Sequence, residues 1–139
     1  MNPNRRHHAR GVGLIDALIA LAILAFGLLA MTRFQGRMVA QTTEVQSRSI
    51  ATGLADELMS TALVDPANLD CYTVPATGNC GNAMARSNTD AWAVRVENRL
   101  PGTASATATV AGTRLTVVLN WTGKESQEPR QLTVETDVQ

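Results

Sequence analysis

Polar residues are scarce between Val12 and Met31, a run of 20 residues with a single charge, Asp16. At ~1.5 Å per residue a helix of that length covers ~30 Å, about the hydrocarbon thickness of a bilayer. Past Met31 the pattern changes but stays helical. From Phe34 to Asp65 there is no proline, and the only glycines are Gly36 and Gly53. Apolar residues come in adjacent pairs four apart: Ile50 and Ala51, Leu54 and Ala55, Leu58 and Met59, Ala62 and Leu63. That spacing predicts one stripe of an amphipathic helix. Arg48, Thr52, Asp56, Glu57, Ser60 and Thr61 fall on the opposite face, and Phe34, Met38 and Val45 extend the apolar side more sparsely upstream. Asp65-Pro66 ends the pattern, because a residue before proline disfavours the α region. The expectation is one helix from about Leu14 to Asp65. Its part over 12–33 is apolar all round and suits lipid. Its part over 34–65 is amphipathic and suits a folded domain, with Leu54, Leu58 and Leu63 under the cover of a sheet.

The rest, 66–139, reads as loops and strands. Asn68 to Asp90 is rich in Asn, Thr, Gly and Ser and holds both cysteines. Strand candidates follow at Trp92–Glu97, Thr107–Val110, Arg114–Thr122 and Gln131–Val138. In them Val94/Val96, Leu115/Val117/Leu119 and Leu132/Val134 alternate with polar or exposure-tolerant residues, the period of a strand with one buried face. Gly102, Gly112 and the Thr122–Pro129 stretch supply turns. These elements predict an α+β architecture, a long helix packed on a small antiparallel sheet of three or four strands.

Charge and composition narrow the function. At 139 residues there is room for one small domain. Twelve Lys+Arg balance twelve Asp+Glu, which gives no reason to expect a nucleic-acid partner. Arg5, Arg6 and Arg10 precede the apolar run, and the positive-inside rule then places the N-terminus in the cytoplasm. Arg33 and Arg37 follow the run and weaken that bias. An ordinary secretory signal peptide has an apolar region of about 7–15 residues closed by a small-x-small cleavage site. This run is longer, and no such site closes it. Were the chain cut after Gly11, the three arginines and both histidines would leave with the leader, and nine basic side chains would face twelve acidic ones. A chain without histidine lacks the commonest general base and transition-metal ligand. No nucleophile–base pair or phosphate-binding glycine motif is visible, so the sequence implies neither an enzyme nor a cofactor. Cys71 and Cys80 lie nine positions apart. The expectation is a structural disulfide between Cys71 and Cys80, which an exported head permits; free thiols are the alternative, and metal binding or catalysis would lack partners.

Residues 10–20, Arg10-Gly11-Val12-Gly13-Leu14-Ile15-Asp16-Ala17-Leu18-Ile19-Ala20, resemble the class III signal of type IV prepilins and pseudopilins. That signal is a short basic leader, a glycine, then an apolar helix with an acid at its fifth residue. The stretch Leu18 to Leu29, the pattern from Gln35 to Leu58 and a mid-chain cysteine are most similar to the PilV-like minor pilins. The likeness is specific over about residues 5–40 and architectural beyond. Three departures stand out. Val12 replaces the usual phenylalanine, Asp16 replaces the usual glutamate, and Arg33 stands where many major pilins carry a helix-kinking proline.

The resemblance implies a leader over 1–11 removed by prepilin peptidase, with Gly11 its last residue and Val12 the methylated first residue of the mature chain. It implies a transmembrane half-helix over 12–33, an amphipathic half over 34–65, and a periplasmic head over 66–139. Asp16 would pair with the amine of a neighbouring subunit during assembly; the alternative is that it caps the helix or reaches the membrane interface. The implied function is a minor pilin that helps initiate a type IV pilus near its tip, with twitching motility and adhesion as outputs. Its implied partners are other minor pilins, the major pilin and the assembly platform, with a tip adhesin as an optional member. The I-type minor pseudopilin of a type II secretion system shares the signal and helix. A signal-anchored periplasmic binding domain is the reading of another class.

Overall fold

The computed structural model describes residues 12–124 and 127–139. The chain divides into two compact units, 1–39 and 40–139. Helix α1, Val12–Val64, contributes to both. A 3-10 segment, Pro66–Tyr72, follows it, then helix α2, Ala83–Arg99, and strands β1, Ser105–Ala111, β2, Arg114–Thr122, and β3, Pro129–Asp137.

In the first unit the described residues are helical, and 13–39 are all exposed. Apolar side chains point outward on every side, Leu14, Leu24, Phe26 and Met31 among them. Among the described residues α1 is the one helix long and apolar enough to cross a membrane.

The second unit is built round a three-stranded antiparallel sheet in the order β1-β2-β3. Central strand β2 buries Leu115, Val117, Leu119 and Trp121 and leaves the residues between them half-buried, the period-2 alternation of a one-sided sheet. Ala108 of β1 and Val134 of β3 sit opposite Val117, and Leu132 sits opposite Leu119. The two-residue loop Gly112–Thr113 joins β1 to β2 and requires a positive φ, which Gly112 adopts at 64°. Ala51, Leu54, Ala55, Leu58, Met59 and Ala62 of α1 join the strand residues in one core, together with Trp92 and Val96 of α2. The α1 chain ends where expected, and Asp65 before Pro66 takes non-helical angles (φ −131°, ψ 57°).

Three expectations need correction. Trp92–Glu97 is not a strand but the C-terminal part of α2. The buried residues Ala85, Thr89, Trp92 and Val96 recur at helical spacing. Asn82 caps the helix, its Oδ1 accepting from the amides of Met84 (3.1 Å) and Ala85 (3.2 Å). Leu100, before Pro101, ends it in an extended conformation. Asn68–Asp90 is therefore not all loop, since it holds most of the 3-10 segment and the first half of α2. Finally, Leu63 and Val45 are exposed (47% and 69%). Upstream of Ile50 the inward stripe of α1 passes instead through Ala40, Thr43, Glu44 and Ser47, small or polar residues that a search for apolar periodicity overlooks.

Candidate functional site

The residues singled out by sequence fall into separate places. Gly11 lies outside the described residues. Val12 opens α1 as described, and Asp16 stands one full turn inside it. That is past the N-cap position, where a side chain reaches the first free amides. Asp16 is exposed, with Leu14, Ile15, Leu18 and Ile19 exposed around it.

Cys71 and Cys80 are joined by a disulfide, with Cα atoms 4.6 Å apart. Cys71 is fully buried in the core, and the loop between the two carries Val74-Pro75, a cis peptide bond. The bridge anchors the 3-10 segment two residues ahead of the α2 cap at Asn82. Further bonds hold the same corner. Val74 exchanges backbone hydrogen bonds of 2.9 and 2.8 Å with Ala108 of β1. Arg86 of α2 donates to the Thr73 carbonyl at 2.7 Å and pairs with Asp90 one turn on.

A cavity of about 420 Å³ opens between the last turns of α1 and helix α2. Leu58, Ala85 and Trp92 form buried wall, while Val64 and Met84 line it with side chains 82% and 75% exposed. The Trp92 indole donates to the Leu54 carbonyl at 2.8 Å and fixes α2 against α1. Arg95 of α2 pairs with Glu57 of α1, and both line the cavity. Asp65 lines it too, eight residues further along, about 12 Å by helix rise.

Asp65 is the polar hub of this cavity. Its Oδ1 accepts from Asn68 Nδ2 at 2.7 Å, and its Oδ2 accepts from the Tyr72 hydroxyl at 3.2 Å and Asn82 Nδ2 at 3.5 Å. One side chain thus ties the end of α1 to the 3-10 segment and to the cap of α2. Burial raises the pKa of Tyr72 above its ordinary value, and the hydrogen bond to Asp65 and that carboxylate's charge add to the effect.

The chain matches no protein-family model, no curated protein and no solved structure.

Among the described residues no group of three or more His, Cys, Asp or Glu side chains is arranged to hold a metal. The sequence does not display the groove, because Asp65 reads as a helix stop and the residues of α2 carry loop and strand patterns. The apolar residues Val64 and Met84 on either side of the disulfide loop were the available signal. Their exposure depends on a packing that periodicity does not give.

Proposed function

We propose that this chain is a minor pilin of a type IV filament, anchored in the inner membrane by the first part of α1 with its head in the periplasm. The reading rests on one observation above the others. An apolar helix with no protein cover over 13–39 follows a basic segment and Gly11, and Asp16 is the single charge in its run from Val12 to Met31. The α+β layout of long helix, small antiparallel sheet and disulfide loop supports it as an arrangement of the pilin type. In this reading prepilin peptidase cuts after Gly11, and Val12 becomes the methylated N-terminus. A carboxylate within lipid is unfavourable by about 2.5–3.5 kcal/mol on insertion scales, so an ion pair there is strongly favoured. Asp16 pairs with the amine of a neighbouring subunit shifted by about one helical turn, and the low dielectric strengthens the attraction. The protein joins other minor pilins on the assembly platform and helps start the filament of major pilin at its tip.

The test is the mature N-terminus followed by Asp16. Mass spectrometry of membrane-extracted protein should find a chain starting at Val12. A chain starting at Met1, or after the apolar run, refutes the prepilin reading. Asp16→Asn should still be processed but should fail to co-purify with the other minor subunits, and Asp16→Glu should restore association. If Asp16→Asn assembles and supports piliation as wild type does, the pairing role is wrong.

A further inference from the structure

The cavity between α1 and α2 combines apolar wall with an acid whose hydrogen-bond partners are all neutral. Among the described residues Arg95 is the single cation lining it, and it is paired with Glu57. Asp65 accepts from Asn68, Tyr72 and Asn82, which carry no charge. A carboxylate offers about four acceptor positions, so three donors leave one open. The lining therefore has a net charge of −1, from Glu57, Asp65 and Arg95. Val64 and Met84 present apolar surface at the same opening, two of the most exposed large apolar side chains of the second unit.

We infer that this groove receives a lysine or arginine side chain flanked by apolar residues on a partner protein. The aliphatic stem lies along Val64, Met84 and Leu58, and the cationic head completes the acceptor set of Asp65. Long basic side chains are built for such a site, with an apolar stem and a charged tip. A charge-assisted hydrogen bond to a partly shielded carboxylate is stronger than a neutral one. An acidic or purely apolar partner would leave Asp65 either repelled or covered without a counter-ion. The inference deepens the assembly reading by giving the chemistry of one contact on a neighbouring subunit. It is tested on the isolated chain, so its failure leaves that reading standing.

The probe is a blocked tripeptide with lysine between two leucines, and its twin carries norleucine in place of lysine. Both are titrated into the full chain in detergent micelles, with the methionine methyls labelled for NMR. The Met84 signal should shift saturably with the lysine peptide, while Met59, buried in the core, serves as the control for an intact fold. Binding should be about tenfold weaker for the norleucine twin and for Asp65→Asn, the loss of one charge-assisted bond. Val64→Lys should weaken lysine-peptide binding as well by adding a cation at the mouth, and it decides the matter if Asp65→Asn disturbs the Met59 signal. Equal response to both peptides, no shift at Met84, or undiminished binding in the variants overturns the inference. A Met84 shift that grows with protein concentration alone assigns the groove to a second copy and overturns it too.

Discussion

Helix α1 carries two regions, one apolar all round and one amphipathic, with leucines of opposite burial. Leu24 is 61% exposed, whereas Leu54 is 3% exposed. Over 13–39 no residue is covered, and from Ala51 to Ala62 a stripe of six is closed off by the sheet and α2. Burying a leucine side chain is worth about 1.5–3 kcal/mol wherever the cover comes from. For Leu54 this chain supplies that cover; for Leu24 the described residues supply none. Hydrophobicity therefore states a demand for burial, and only the surrounding chain shows whether the demand is met from within.

The sharpest way to break this comparison is to truncate one leucine from each region. Leu58→Ala should lower the unfolding free energy of the head by ~2–5 kcal/mol, and Leu58→Asp by more. Leu24→Ala should change it by less than ~0.5 kcal/mol. Denaturant unfolding of the full chain in micelles, followed by the fluorescence of the two core tryptophans, measures both. Similar losses would mean that the two regions fold as one unit.

The second test concerns the corner that connects α1 to α2. Opening the bridge with Cys71→Ser should lower stability by roughly 2–3 kcal/mol, as the chain-entropy model gives for a loop of about ten residues. Membrane insertion should be unchanged, because the loop belongs to the second unit. Thiol labelling of the wild-type protein should find no free cysteine until it is both denatured and reduced.

A smaller effect separates the two tryptophans, both almost fully buried. Trp92 Nε1 donates to Leu54, whereas Trp121 Nε1 has no hydrogen-bond partner among the described residues. Trp92→Phe should therefore exceed Trp121→Phe by about 1 kcal/mol, beyond the loss of ring area common to both. If the order reverses, the indole bond is not what fixes α2 on α1.

The smallest effect is on pH dependence. Tyr72 holds its proton more tightly in the fold than its ordinary value of 10.0 because burial and the bond to Asp65 favour the neutral phenol. That contribution is complete below about pH 10 and is lost as pH rises through the raised folded value. Tyr72→Phe should reduce this alkaline loss of stability, at the cost of the bond to Asp65 (about 0.5–1.5 kcal/mol) at neutral pH, where the pH dependence should be unaltered. A wild-type alkaline limb unaffected by the substitution would place its origin elsewhere.

Much of this architecture was legible in the residues. The end of α1 at Asp65 follows from Pro66, and β2 matches its expected span from Arg114 to Thr122 because four inward apolar residues alternate without a break. Helix α2 was not legible. Val94 and Val96 alternate as strand residues do, while the helical stripe Ala85, Thr89, Trp92 and Val96 is diluted by an alanine and a threonine. The cap at Asn82 and the stop at Leu100-Pro101 were the local signals in favour of a helix. Asn82 lies inside the polar stretch 68–90, whose composition reads as loop, and Leu100-Pro101 follows residues that alternate as a strand does.

The basic segment ahead of Gly11, the apolar run and the position of Asp16 are properties of contiguous residues, and the sequence by itself determined them. So was the stripe from Ala51 to Ala62, because a helix repeats its neighbours every three or four positions whatever surrounds it. The tertiary structure alone decided that Leu63 and Val45 stay exposed, and that Asp65 gathers Asn68, Tyr72 and Asn82 beside an apolar groove. Each of those outcomes depends on where α2 and the 3-10 segment pack. That placement is fixed by contacts between residues far apart in the chain, such as Trp92 with Leu54 and Arg95 with Glu57, which no local periodicity encodes.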